Sequence, residues 1–131
     1  MRHATWAVLC GAVICSALAF AAEPTEEDVF LPLMTGWRVK PAADKKELAE
    51  TFCRVDFDDA AWPTADIKEA EGPYKDRYVF YRRAVDVPAA WQGKKIAVVF
   101  GGVDDDAVVY WNGQKVGAHK GYDSEFDCDV T

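Results

Sequence analysis

Histidine and serine are scarce in this sequence. The chain has two histidines, and beyond residue 21 His119 is the one histidine and Ser124 the one serine. A nucleophilic site built on such a pair needs a third group that orients the base, and no motif around these two residues supplies one. We therefore interpret His119 and Ser124 as loop residues, and we expect no catalytic triad.

Basic residues are also in the minority. Lys and Arg number 15 against 22 Asp and Glu, which gives a formal net charge of -7. Proteins that bind nucleic acid or anionic lipid concentrate positive charge on the binding surface. The acidic balance of this chain therefore argues against both as partners.

Long apolar stretches are absent apart from residues 6–20. A short basic start precedes this stretch, Ala19-Phe20-Ala21 has the small-residue pattern of a cleavage site, and acidic residues follow. A membrane anchor is the alternative, but the stretch is short for a span of about 20 residues. We predict a signal peptide over residues 1–21, a leader over 22–29 and a folded module over 30–131. The processed chain would be secreted or periplasmic and not held in a membrane.

Few cysteines remain once that segment is removed. Cys53 and Cys128 are left, and an oxidising compartment would permit a disulfide between them. The alternative is two buried free thiols, because two lone cysteines carry no spacing signature. A zinc site made from these two thiols and His119 would lack a fourth ligand and the usual paired spacing.

What the sequence does contain is a series of short segments typical of β-strands. Apolar and polar residues alternate in them, and turn residues separate them; the segments are residues 77–87, 95–101, 107–111, 114–118 and 126–130. Asn112-Gly113 is a strong hairpin signal, because a type I′ turn needs positive φ at both central positions. We interpret residues 101–106 as a connection. This pattern predicts an antiparallel β-sandwich.

Four short motifs follow one another along the chain: Phe57-Asp58-Asp59 with Trp62, Phe80-Tyr81-Arg82-Arg83 with Trp91-Gln92-Gly93, Val103-Asp104 with Val109-Tyr110-Trp111-Asn112-Gly113, and Phe126-Asp127-Cys128-Asp129-Val130-Thr131. Together they resemble the N-terminal sugar-binding module of family 2 glycoside hydrolases. The resemblance implies an all-β, antiparallel jelly roll of the galactose-binding type. It also implies carbohydrate as a partner, together with downstream domains of the same polypeptide.

Two departures from the family pattern matter. The family reads Gly-Gly-Tyr-x-Pro-Phe where this chain has Gly121-Tyr122-Asp123-Ser124-Glu125-Phe126. The family also continues from its Asp-Ile-Thr motif into a further long strand, whereas this sequence stops at Thr131. The resemblance therefore implies a module that is truncated at its C-terminus.

The resemblance places the two catalytic glutamates on a separate barrel domain, so we expect no catalytic residue and no hydrolase activity in this chain. We expect a non-catalytic sugar-binding or structural module of a secreted glycoside hydrolase. Two alternatives are a free-standing carbohydrate-binding module and the same module within another exported carbohydrate-active enzyme, such as a sugar-ester esterase.

Ligand-binding candidates are few. Tyr122 and Trp111 could offer an aromatic face to a sugar, and Asp105 could offer a polar group beside it. We expect no cofactor. The run Asp104-Asp105-Asp106 could supply oxygens to a structural calcium ion, but it lacks the spacing of a calcium loop, and a charged turn is the simpler interpretation.

Overall fold

The computed structural model describes residues 4–12, 29–42, 51–67, 78–122 and 124–131. Their regular structure is mainly strands: β1 (Ala4–Ala12), β2 (Trp37–Ala42), β3 (Thr64–Ala65), β4 (Tyr78–Asp86), β5 (Ala97–Phe100), β6 (Asp104–Trp111), β7 (Gln114–Lys120) and β8 (Phe126–Asp129). A short 3₁₀ turn, Ala89–Trp91, lies between β4 and β5. Every strand pair in this part of the chain is antiparallel.

The strands form two sheets that share one core. The larger sheet has the order β3-β2-β4-β1-β6-β7, and β5 pairs with β8 in the smaller one. The main hydrophobic cluster contains Val39, Val79 and Val109 from the larger sheet and Cys128 from the smaller sheet, and these side chains are at most 4% exposed. Because both sheets bury residues in the same cluster, the predicted antiparallel β-sandwich is confirmed.

Strand β4 is covered on both faces. Val79 and Tyr81 belong to the core between the sheets. Phe80 points the other way, into a second cluster with Phe52 and Trp62. This alternation is the one that the sequence predicts, because successive side chains of a strand point to opposite faces.

The hairpin predicted at Asn112-Gly113 is also confirmed. Asn112 has φ 51° and Gly113 has φ 81°, and the turn joins Trp111 to its register partner Gln114. Both values are positive, as a type I′ turn requires.

The interpretation of residues 101–106 as a connection was wrong in its second half. Asp104, Asp105 and Asp106 are the first residues of β6. Asp104 pairs with Ala12 of β1, and Asp106 pairs with Lys120 of β7. Backbone pairing to neighbouring strands overrides the turn preference of aspartate here.

The N-terminal segment enters the larger sheet as β1, between β4 and β6. The cleavage of this segment after Ala21 stays a prediction. The cleavage position and most of the predicted leader lie outside the described residues. No helix in the described ranges has the length and apolar character needed to cross a membrane.

Candidate functional site

A cavity of about 510 Å³ lies between the segment 29–34 and the strand β5. Its walls are mostly apolar, and three indole rings contribute to them: Trp37, Trp91 and Trp111. Lys94 and Lys95 are the charged residues among its described lining. Binding pockets for small molecules are typically concave and apolar, with a few polar groups that fix the orientation of the ligand.

Each indole is placed by a different element. Trp37 opens β2, is 2% exposed, and donates a hydrogen bond from Nε1 to the carbonyl oxygen of Leu33. Trp91 ends the 3₁₀ turn, where its backbone N–H donates to the carbonyl oxygen of Pro88 over 2.9 Å. Trp111 is the last residue of β6. Trp91 and Trp111 are half-buried, so parts of their rings remain available for contact.

The cavity wall at β5 is held by the end of the chain. The backbone N–H of Val130 donates to the carbonyl oxygen of Ile96 over 2.9 Å. The N–H of Ile96 donates in turn to Thr131 Oγ1 over 3.0 Å. These bonds extend the β5–β8 pairing and fix the lysines that precede Ile96 beside the cavity.

Two of the three predicted ligand-binding candidates, Trp111 and Tyr122, lie apart. Trp111 lines the cavity. Tyr122 is 66% exposed and lies beyond the end of β7, apart from the cavity lining. Asp105 lies in β6, and its side chain is not among those that the structure describes.

Sequence reasoning missed the other half of the cavity. It named Trp91 only as part of a family motif and gave no role to the segment 29–34 or to Lys94 and Lys95. A signal was present in that segment, because five of its six residues are large and apolar and none is charged. Val29 and Phe30 are 63% and 69% exposed, a high exposure for side chains of this kind.

His119 lies in strand β7 and not in a loop as predicted, and its ring contacts Ser124. Nε2 of His119 lies 2.9 Å from Oγ of Ser124 in a hydrogen bond. The imidazole stacks on the Phe126 ring, with centroids 4.3 Å apart and planes 2° from parallel. Within the described residues, His119 makes no side-chain hydrogen bond to a carboxylate, so the third member of a triad is missing there.

Two of the motifs are joined by a buried ion pair. Arg82 of β4 is 0% exposed, and its Nε donates to Asp59 Oδ2 over 2.8 Å. Nη1 of Arg82 also donates to the carbonyl oxygens of Phe52 and Arg54. These bonds fix the loop 52–62 against β4, where Trp62 packs at 7% exposure. These bonds compensate the buried charge of the Arg82 guanidinium and stabilise the fold of the module.

The carboxyl groups with shifted pKa values do not resemble a general acid. The hydrogen bond from the Arg54 guanidinium lowers the pKa of Asp56. The backbone N–H of Thr131 lowers the pKa of Asp129. A glycosidase acid needs the opposite shift, because it must hold a proton near neutral pH.

Metal ligands and the candidate disulfide are the remaining predicted sites. The described residues contain no group of three or more His, Cys, Asp or Glu side chains placed to hold a metal. Cys53 and Cys128 are buried in different hydrophobic clusters, so this structure does not pair them in the candidate disulfide. Burial, with a smaller effect from the charge of Asp127, raises the pKa of the Cys128 thiol. A raised pKa keeps the thiol protonated and unreactive.

Comparison with known proteins agrees with the fold. The profile of the sugar binding domain of glycosyl hydrolases family 2 matches residues 49–131. A β-galactosidase from Thermoanaerobacter pseudethanolicus (strain ATCC 33223 / 39E) is 31% identical over 87 residues. That match covers 60% of this chain but 12% of the β-galactosidase, so the chain spans a small part of its relative. No solved structure matches the chain significantly.

The matched region begins before Phe52 and runs through β8, and it contains the Arg82–Asp59 pair, the Asn112-Gly113 hairpin and most of the strands of both sheets. It covers well over half of the chain. The protein therefore belongs to glycosyl hydrolases family 2, through the sugar binding domain of that family.

Proposed function

We propose that this chain is the carbohydrate-binding module of a secreted glycosidase, and that it supplies no catalytic group. The family match over residues 49–131 carries the proposal. The cavity beside Trp111 is the site at which we expect the sugar to bind. The C–H face of a sugar ring packs on an aromatic face, and its hydroxyls form hydrogen bonds with polar groups nearby. The β-galactosidase relative indicates a glycosidase as the parent enzyme.

The N-terminal sequence supports export of the chain. Residues 1–21 have the order of a basic start, an apolar stretch and a small-residue cleavage pattern. The expected location of the processed protein is therefore outside the cytoplasm, in the periplasm or the medium.

Calorimetric titration tests sugar binding at the cavity. We expect galactosides or glucuronides to release heat on binding, and we expect Trp111→Ala to weaken binding by about tenfold, the loss that corresponds to one aromatic contact. Trp111→Phe should retain part of the affinity because it keeps a ring. Circular dichroism of each variant would show that the fold is retained.

Tyr122→Ala is the matched control. Tyr122 is 66% exposed and lies apart from the cavity lining, so its truncation should leave the dissociation constant unchanged. A loss of binding in Tyr122→Ala with none in Trp111→Ala would move the site to the loop around residue 122. The absence of heat with every sugar would contradict the binding function itself.

A further inference from the structure

The cavity beside Trp111 offers a ligand hydrogen-bond donors but no oxygen acceptor from its described side chains. The described lining contains no hydroxyl, amide or carboxylate side chain. Its polar side-chain groups are the ammonium groups of Lys94 and Lys95 and the N–H groups of the indoles. One of those indoles, Trp37, already donates its N–H to the carbonyl oxygen of Leu33. The other lining side chains are aliphatic or aromatic.

This chemistry does not suit a sugar ring buried inside the cavity. Each hydroxyl of a sugar both donates and accepts hydrogen bonds. A hydroxyl that is buried without a partner weakens binding by roughly tenfold or more, and one ring carries several of them. A bound sugar is therefore expected at the polar rim of the cavity, and an apolar group is expected in its interior.

The two lysines mark the polar rim. Both side chains are exposed, so a ligand that bonds to them keeps part of its hydration. The backbone N–H of Lys94 donates to the carbonyl oxygen of Trp91 over 3.0 Å, which fixes this lysine in the turn that also carries the indole. Lys95 immediately precedes Ile96, which is tied to the β5–β8 pairing. The ammonium donors thus stand on well-held backbone beside an aromatic ring.

The segment 29–34 forms the apolar side of the cavity. The backbone N–H of Ile67 donates to the carbonyl oxygen of Met34 over 2.9 Å, which holds one end of the segment. Toward its other end, Phe30 is 69% exposed and Leu31 is 42% exposed, although both line the cavity. An apolar group bound there would remove these side chains from water, which favours binding.

We propose that the cavity binds the apolar aglycone of a glycoside, an alkyl or aryl group, while the sugar lies at the rim against Lys94 and Lys95. The inference rests on the proposed carbohydrate binding and names its ligand class: glycosides with an apolar aglycone, in preference to free sugars. The cavity volume of about 510 Å³ lies within the range of roughly 300–1,000 Å³ that is typical of pockets for small molecules.

Calorimetric titration with methyl, butyl and hexyl β-galactosides tests the proposal. Each methylene group that enters the cavity should strengthen binding about fourfold. We therefore expect the hexyl galactoside to bind at least about a hundredfold more tightly than the methyl galactoside, with a more negative heat-capacity change. Hexan-1-ol, which has the same chain without the sugar, should bind more weakly than the hexyl galactoside.

Two variants separate the ends of the ligand. Phe30→Ala should weaken the hexyl galactoside by roughly tenfold and leave the methyl galactoside unchanged, because it removes apolar contact alone. The double variant Lys94→Met and Lys95→Met keeps the apolar stems and removes the donors, so it should weaken both galactosides by the same factor. Tyr122→Ala is the matched control for Phe30→Ala, because Tyr122 is 66% exposed and lies apart from the cavity lining.

The outcomes distinguish this inference from the proposed function. Galactosides that bind with equal affinity at every chain length would overturn the inference and leave carbohydrate binding intact. Hexan-1-ol that binds as tightly as the hexyl galactoside would also overturn it, because the sugar would then contribute nothing. An equal loss for both galactosides in Phe30→Ala would remove the aglycone from the segment 29–34. Heat from none of the glycosides would contradict the proposed function, and this inference with it.

Discussion

At the scale of single residues, Arg82 shows how this module holds a charge away from water. Its side chain is 0% exposed, and the partner carboxylate of Asp59 is 11% exposed. The Phe57 ring lies 5.3 Å from the guanidinium carbon, so an aromatic face covers the pair on one side. The charge is therefore balanced by a carboxylate and two carbonyl oxygens within one small cluster.

Asp59→Ala should be strongly destabilising. It leaves the guanidinium buried without its counter-charge, and breaking one side of a buried pair costs about 3–5 kcal/mol in the free energy of unfolding. Chemical denaturation followed by tryptophan fluorescence measures this loss. Asp56→Ala is the control, because the Arg54–Asp56 pair is 62% and 70% exposed, and it should produce no measurable change. Equal effects of the two substitutions would contradict the role assigned to Asp59.

Part of this arrangement could be predicted from sequence. Alternation along β4 places Arg82 on the face opposite Val79 and Tyr81, and the turn residues place Asp59 in a loop. The contact between them joins positions that are distant in the sequence, and no local pattern encodes that approach. The carbonyl oxygens of Phe52 and Arg54 are harder still to predict, because backbone orientation decides whether they face the guanidinium.

At the scale of elements, the alternating segments and the Asn112-Gly113 turn predicted most of the later strands. The predictions failed where local composition favours a turn but backbone pairing with neighbouring strands forms a strand. Aspartates and glycines are typical of turns, yet Asp104 pairs with β1 and Asp106 pairs with β7. The two-residue strand β3 was not predicted, because Thr64 and Ala65 carry no periodic signal and owe their conformation to pairing with β2.

Gly117 of β7 packs against Cys128 of β8, where the two sheets meet. A Cβ at this position would clash with Sγ of Cys128 in β8, because the two atoms would lie much closer than ordinary van der Waals contact. Gly117→Ala should therefore lower the free energy of unfolding by about 1–3 kcal/mol, the usual cost of overpacking a core. Thermal unfolding monitored by circular dichroism would measure the change.

Cys128→Ala supplies the double-mutant test of that contact. Cβ of Cys128 would lie 3.5 Å from the new methyl group, which is an ordinary contact, so removing the sulfur should relieve the clash. Gly117→Ala should then cost less in the Cys128→Ala background than in the wild type. Additive effects would show that the sulfur is not the cause.

At the scale of the whole molecule, the sandwich could be predicted but the cavity could not. Fold class follows from strand patterns and motifs that lie within short windows. The cavity joins the segment 29–34, the turn at Trp91, β5 and the end of β6, which meet only in the folded chain. Trp111 was a candidate by residue type alone, and its place on the cavity wall depends on this meeting of distant segments.

The isolated chain should not hydrolyse glycosides. Hydrolysis needs a carboxylic acid with a raised pKa and a second carboxylate across the glycosidic bond. The described carboxyls with shifted pKa values, Asp56 and Asp129, both move downward. Assays of the purified chain with nitrophenyl glycosides should give the rate of the buffer blank. Turnover that persists through further purification would contradict the proposal of a non-catalytic module.

The central place of β1 also sets an order of events during synthesis. Residues 4–12 leave the ribosome before their partners in β4 and β6, which lie between residues 80 and 111. At about 5–20 residues per second, the segment waits on the order of 10 s before either partner strand exists. Long-range pairing of this kind is slow to form even after synthesis. The export proposed for this chain would therefore have to engage these nine residues during that interval, before their partner strands exist.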